Sequence, residues 1–262
     1  MADRRGSPAS RARDAVLRPR RASFPPALQL RLLNTAWDSR ALAAAIDQYL
    51  NLLPPGAWPN WVLGNHDEHR LASRIGQEQA RVAAMLALTA GGTAFVYNGD
   101  ELGLEDVEIA SGETHRPDAS GGRDPQRTPM PWDAGPQGGF TTGTPWLPLG
   151  RVNAARSVAV QEADPSSMLA LYRRLIALRR EHPALVQGRF QPRAGEGTVL
   201  SYVRENDGVR LFVALNISGG PACITLRGSG TLLLSTRLDR DAASCAGQMT
   251  LRSDEGVIIR LD

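Results

Sequence analysis

Apolar residues recur at helical spacing in three segments of the first two thirds of the chain. The first segment follows Asp38, a residue type that caps helices, and ends before the Pro-Pro-Gly sequence at 54–56. The second runs roughly over 77–89 and ends at two glycines. The third opens at Asp164-Pro165 and closes before Pro183. The pattern therefore predicts three amphipathic helices.

Two short apolar runs, at 61–63 and 93–97, lie between these helices. Because each run is apolar on both faces and alternates with a helix, it is typical of a buried parallel strand in an α/β barrel or a doubly wound sheet. Residues 103–163 are rich in Gly, Pro and Trp, and we predict that they form a long loop.

From residue 184 onward the pattern changes to a period of two, which is typical of strands. Asn206-Asp207-Gly208 lies between two of these segments and predicts a hairpin turn. Six segments with this pattern predict a small antiparallel β-sandwich. These segments are 198–204, 209–216, 222–227, 231–237, 248–252 and 256–261.

Charge is distributed unevenly along the chain. All 30 basic residues are arginine, and seven of them lie in residues 1–25 against only two acids. The remaining residues are nearly neutral, and no aromatic residues interleave with the arginines of the first segment. We therefore expect no nucleic-acid partner, and we predict that residues 1–26 are a disordered arginine-rich leader.

The hydropathy pattern predicts no membrane span, because no apolar run approaches eighteen residues. It also predicts no export signal, because Pro25-Pro26 interrupts the apolar segment that follows the leader arginines. We therefore expect no membrane partner and a cytoplasmic location, in which Cys223 and Cys245 are reduced. Neither a phosphate-binding glycine loop nor a metal-ligand spacing is present, so we expect no metal and no cofactor.

The sharpest candidate for chemistry is Asn65-His66-Asp67, which directly follows the first apolar strand. Functional groups of parallel barrels gather at the carboxyl ends of the strands. An imidazole and a carboxylate there can bind a polyhydroxylated ligand, since a carboxylate accepts two charge-assisted hydrogen bonds. The tripeptide alone leaves open that the Asp caps a helix and the His packs in the rim.

Further polar residues follow the second strand and lie in the long loop. We interpret Asp100 and Glu101 as groups that orient backbone. The long loop contains guanidinium groups and an indole, in Arg123-Asp124 and in the sequence from Arg127 to Asp133. Such groups commonly contact sugars, but they also hold loops together.

Three motifs together resemble one family. The sequence WVLGNHD at 61–67 resembles the fourth signature region of the α-amylase superfamily of glycoside hydrolases. The sequence YNGDELG at 97–103 resembles the segment that closes the eighth barrel strand of that family. The segment from Gly122 to Asp133 is similar to a loop of its α-glucosidase and oligo-1,6-glucosidase branch, shared with trehalose synthases.

The resemblance implies a fold and a division into domains. It implies the C-terminal part of a (β/α)8 TIM barrel, about strands 7 and 8 with helices 6 to 8, followed by the antiparallel β-sandwich domain. The partial barrel would occupy residues 27–183, including the long loop 103–163, and the β-sandwich domain residues 184–262.

The resemblance also implies a substrate and roles for three residues. His66 and Asp67 would hold the hydroxyls of the sugar at the cleavage site, and Asp67 would favour the oxocarbenium-like ring. Arg123 would lie near the substrate. The substrate would be an α-glucoside oligosaccharide or disaccharide, cleaved with retention of configuration.

The chain departs from the family pattern in its acids. Retaining cleavage needs a nucleophilic carboxylate and an acid/base carboxylate about 5–5.5 Å apart. The resemblance places both upstream of the matching segment, and this sequence has no Glu before Glu68. We therefore expect a truncated α-glucosidase that is inactive as given. Two alternatives remain open: a non-catalytic glycan-binding or interaction remnant of the same fold, and a trehalose synthase-like transglycosidase.

Overall fold

The computed structural model describes residues 30–109, 122–193, 197–240 and 242–262, so the predicted leader lies outside the described residues. Helices dominate the first part of the described chain and strands the second. The helices are α1 (Ser39–Leu52), α2 (Leu71–Ile75), α3 (Gln77–Thr89), α4 (Arg151–Ala154), α5 (Val158–Glu162), α6 (Met168–Glu181) and α7 (Ala184–Gln187). The strands are β1 (Asn60–Trp61), β2 (Thr93–Ala94), β3 (Arg189–Pro192), β4 (Val199–Asn206), β5 (Val209–Asn216), β6 (Ala222–Ser235), β7 (Ser244–Leu251) and β8 (Gly256–Leu261).

The three predicted amphipathic helices correspond to α1, α3 and α6. Asp38 caps α1, since its Oδ1 accepts hydrogen bonds from the backbone N–H groups of Arg40 and Ala41 at 3.0 and 2.9 Å. The third helix begins at Met168, later than the Asp164-Pro165 signal indicates. The Asp164 carboxylate closes a turn on Ser166 instead, and the Ser167 hydroxyl caps the helix.

The two predicted strands form a short parallel pair. Asn60 pairs with Thr93 and Trp61 with Ala94, and Phe95 N–H continues the pattern by donating to Trp61 O at 3.0 Å. The region that the pattern predicts as strand end and loop contains four short helices. Two are 3-10 helices, Asp100–Leu102 and Pro136–Gly139, and the other two are α4 and α5.

The last part of the chain forms one antiparallel sheet with strand order β3-β4-β5-β8-β6-β7. The predicted hairpin at 206–208 is present, with positive φ at Asp207 and Gly208 as a type I′ turn requires. The two segments predicted at 222–227 and 231–237 belong to the single long strand β6, which carries register shifts near Leu226 and Leu232. Those bulges bend the strand.

Two apolar cores result from the two faces of this sheet. One face, with Tyr202, Val213 and Ile258, packs on α3 and α6 and forms the largest core together with α1 and Trp61. The other face forms a separate core within the β-domain, where residues of β4, β5 and β8 meet residues of β6 and β7. The sheet therefore covers the helices with one side and folds over its own core with the other.

Candidate functional site

The site begins a few residues after β1, at Asn65-His66-Asp67. The Asn65 Oδ1 accepts hydrogen bonds from the backbone N–H groups of Asp67 at 2.9 Å and Glu68 at 3.0 Å. This turn, which Asn side chains readily form, fixes the backbone of the tripeptide. The side chains of His66 and Asp67 are left 63% and 40% exposed, so both can reach a ligand.

The Asp67 carboxylate lies between two guanidinium groups from the long loop. Its Oδ1 is 2.9 Å from Arg123 Nη1 and 3.0 Å from Arg127 Nη2, and His66 Nε2 approaches the same oxygen at 3.4 Å. Arg127 Nε also donates to the backbone carbonyl of His66 at 2.9 Å. The three contacts to the carboxylate itself all involve Oδ1, so within the described part of the chain Oδ2 is open to a hydroxyl group.

A hydrogen-bonded layer that includes the buried Arg70 follows the tripeptide and holds it in place. Asp106 accepts a hydrogen bond from Arg70 N–H at 2.8 Å through Oδ1, and its Oδ2 lies 2.5 Å from His69 Nδ1. The Arg70 side chain is only 1% exposed, donates to Asn98 O at 2.7 Å and lies 5.2 Å from the Tyr97 ring centre. Burial lowers the pKa of Arg70, while nearby carboxylates oppose that effect.

The acids after the second strand serve the backbone, as we interpreted them from the sequence. Asp100 is buried and accepts a hydrogen bond from Tyr97 N–H at 3.1 Å, whereas Glu101 accepts one from Gly99 N–H at 2.8 Å. Burial raises the pKa of the Asp100 carboxyl to about 6, against the opposing effects of the Tyr97 hydrogen bond and of Arg70.

An aromatic-lined cavity of about 290 Å³ adjoins the Asp67 partners. Arg127 and Asn98 form part of its wall, and Trp132, Phe140 and Trp146 form another part. These three aromatic side chains are about half exposed or more. Aromatic faces beside polar groups are a common lining of binding sites for organic ligands.

The structure brings the three predicted site residues together, since His66 and Arg123 both contact the Asp67 carboxylate. Sequence reasoning missed Arg127 as a member of this cluster. Its place four residues after Arg123 in the same loop motif was the available signal. Spacing in a loop does not reveal which side chains return to a strand end, so the contact required the structure.

The fold and the candidate site define a class of protein: an α/β barrel segment with a cluster of polar side chains beyond its strand ends and a β-domain after it. The family model described as "Alpha amylase, catalytic domain" matches residues 22–188. The chain therefore belongs to the α-amylase family of glycoside hydrolases, and the resemblance inferred from the three motifs is confirmed.

Individual relatives agree with this assignment. Maltase A1 of Drosophila melanogaster is 34% identical over 191 residues, which cover 69% of this chain and 33% of that protein. The amino acid transporter heavy chain SLC3A1 of Rattus norvegicus is 30% identical over 250 residues, which cover 91% of this chain and 36% of that protein. The chain thus spans about a third of the length of these curated relatives.

Solved structures confirm the fold class. The trehalulose synthase MutB from Pseudomonas mesoacidophila MX-45 superposes with a TM-score of 0.76 at 27% identity, over 84% of this chain and 47% of that one. The expected combination of a C-terminal barrel portion and an antiparallel β-domain is therefore confirmed. In the ranges that the structure describes, no helix is both long and apolar enough to cross a membrane.

Proposed function

We propose that residues 27–183 provide the sugar-positioning part of an α-glucosidase site and that residues 184–262 form a separate β-domain. Within this site, His66 and Asp67 bind the glucose unit at the cleavage position. The observation that carries this proposal is the Asp67 carboxylate, which two guanidinium groups hold at 2.9 and 3.0 Å through one oxygen. Its second oxygen and the exposed imidazole of His66 are available for sugar hydroxyls.

The charges of the site suit the transition state of glycoside cleavage. The glucose ring becomes positively charged, oxocarbenium-like, as the bond breaks. Asp67 can stabilise that ring through its hydroxyls, while Arg123 and Arg127 orient the carboxylate. The cavity with Trp132 and Trp146 lies beside Arg127 and can accept the rest of an oligosaccharide or disaccharide.

Bond cleavage requires two further carboxylates, one as nucleophile and one as acid. Three acids near this end of the strands are already engaged: Asp100 and Glu101 with backbone N–H groups, and Asp106 with His69 and Arg70. We therefore propose that this chain, as given, binds the sugar without cleaving the bond, and that the full catalytic activity resides in a longer relative.

Isothermal titration with maltose and an assay with p-nitrophenyl α-glucoside test this proposal together. We expect saturable maltose binding by the chain and no hydrolysis. Asp67→Asn should weaken binding at least about tenfold, because a charge-assisted hydrogen bond contributes roughly 1.5–3 kcal/mol. Asp47→Asn is the matched control, since Asp47 is an exposed acid on α1, and it should bind maltose like the unmodified chain.

Two results would contradict the proposal in different ways. Unchanged maltose binding by Asp67→Asn would remove Asp67 from the site. Hydrolysis that survives purification and disappears in Asp67→Ala would show that the chain carries its own catalytic acids, and the binding-only role would then be wrong.

Transfer of glucose to a second sugar is the other candidate activity of the same site. Its support is the structural similarity to a trehalulose synthase. Chromatography of the products from a sucrose incubation separates the two activities, because hydrolysis releases free glucose and fructose, whereas transfer produces new disaccharides. The absence of any new sugar would be consistent with the binding-only chain.

A further inference from the structure

The β-domain contains a cavity of about 170 Å³ that the proposed sugar site does not use. It lies beside the inner core of the domain, where β4, β5 and β8 face the bent part of β6. Three arginines from different segments line it: Arg193 after β3, Arg210 on β5 and Arg227 on β6. Guanidinium groups from three segments therefore converge on one small space.

None of these three arginines forms an ion pair with a described residue. Most ion pairs of the chain join an arginine to an acid, as in Arg252 with Asp239 or Arg156 with Glu105. No such pair, and no side-chain hydrogen bond to a described residue, involves Arg193, Arg210 or Arg227. Since like charges repel, three unpaired cations around one cavity favour the entry of an anion.

A serine hydroxyl lies beside these guanidinium groups. Ser201 on β4 lines the same cavity. Within the described residues its hydroxyl makes no hydrogen bond, and its oxygen is accessible to solvent. It can therefore donate a hydrogen bond to a ligand oxygen in the cavity.

Two acids lie on or beside the strands that line the cavity. Glu205 lies opposite Arg210 on β4, but its Oε2 accepts a hydrogen bond from Gln191 at 2.6 Å. The Asp262 side chain is bonded to the Ser229 hydroxyl at 2.5 Å. Within the described residues neither acid forms an ion pair with the three arginines.

We propose that Arg193, Ser201, Arg210 and Arg227 form a binding site for a phosphate group. Planar guanidinium groups bind phosphate oxygens in pairs, and a serine hydroxyl can bind a further oxygen. The cavity is smaller than the ~300–1,000 Å³ of sites for drug-sized ligands, which suits a small anion. Phe212 and Leu261 add apolar wall, against which the carbon skeleton of a phosphate monoester would pack.

Isothermal titration at constant ionic strength tests the site with inorganic phosphate, glucose 6-phosphate and glucose. We expect saturable binding of phosphate or of glucose 6-phosphate and none of glucose. Tighter binding of glucose 6-phosphate identifies a phosphate monoester as the ligand, whereas equal or tighter binding of inorganic phosphate identifies the free anion. If neither compound binds, the proposal is wrong.

Variants connect the binding to these residues. Arg210→Gln and Arg227→Gln should each weaken phosphate binding about tenfold or more, because each removes a charge-assisted contact. Arg260→Gln is the matched control, since Arg260 is an exposed arginine of β8 outside the cavity lining. Arg227 is exposed and its replacement should leave the fold intact, so unchanged binding by Arg227→Gln together with a normal melting temperature would overturn the assignment.

Discussion

Asp100 is a buried acid whose pKa is higher than that of an ordinary surface carboxylate. Its side chain lies beneath the parallel strands, where Gly64 leaves room for it: a Cβ at Gly64 would stand 3.1 Å from the Asp100 Oδ2. Burial raises its pKa to about 6, from an ordinary value of 3.8. The folded chain therefore holds this proton more tightly than the unfolded chain does between pH 4 and 6.

We predict that Asp100 lowers the stability of the fold as the pH rises. The pKa of Asp100 is higher in the folded state than in the unfolded state. The stabilisation that its proton gives to the folded state is therefore fully present below about pH 4 and is lost as the pH passes through about 6. The loss amounts to at most about 3 kcal/mol. Asp100→Asn keeps an oxygen for the Tyr97 N–H and removes the titration. Urea unfolding at pH 4, 5, 6 and 7 measures both proteins.

The difference between the two proteins is the informative quantity, because other carboxylates titrate in both. Asp100→Asn should gain stability relative to the unmodified chain between pH 4 and 7. Glu101→Gln serves as the control, since Glu101 is more exposed and shares the same turn. A constant difference across this pH range would show that Asp100 is ionised throughout.

At this scale the sequence predicted only part of the site. His66 and Asp67 were recognisable because they follow an apolar strand directly, and a strand end has a defined position in a barrel. The site role of Arg123 came only from the family resemblance, and Arg127, although noted as a loop guanidinium, was not assigned to the site. Both arginines lie in a long loop, where contacts depend on the path of many residues without periodic structure.

Helix and strand layers are joined by Arg204, a buried arginine of β4. Its Nη1 donates to Ala90 O at 3.0 Å and its Nε to Ala184 O at 3.1 Å, so it connects the ends of α3 and α7 with the sheet. Burial lowers its pKa to about 10. A Cβ at Gly91 would stand 2.2 Å from the Arg204 Nη2, so this glycine is needed for the approach.

We predict that Arg204→Met destabilises the fold by about 2–4 kcal/mol, because it leaves two backbone carbonyls without their donors. Gly91→Ala should have a similar effect, since its φ of +89° and the short approach to Arg204 both disfavour a side chain. Equilibrium denaturation monitored by circular dichroism measures the change. Arg180→Met, at an exposed position of α6, is the control and should lie within about 0.5 kcal/mol. An equally small effect at Arg204 would show that water satisfies these carbonyls.

Element positions were predicted best where the pattern is periodic. The span of α3 agrees with the prediction, because apolar spacing and a glycine end both indicate it. The split of β6 into two strands was wrong, because its bulges near Leu226 and Leu232 interrupt the alternation without ending the strand. The strand β3 was missed, since its four residues are too few for a pattern.

At the scale of the whole molecule, the parallel strands are exposed on one side within the described residues. In the described residues β1 and β2 pair only with each other, although barrel strands normally have two neighbours. Phe95 and Val96, which continue β2, are 40% and 43% exposed. Exposed apolar side chains on a short strand pair are a site of association between chains.

We predict that the chain self-associates through this edge. Light scattering after size-exclusion chromatography should give a mass above that of the 28.2 kDa monomer, increasing with protein concentration. Val96→Glu should shift the equilibrium towards the monomer, because a charge on an exposed strand edge opposes pairing. Val160→Glu is the matched control, since Val160 is 49% exposed on α5, away from these strands. A monomer at all concentrations would contradict the prediction, and an equal effect of both variants would place the contact elsewhere on the surface.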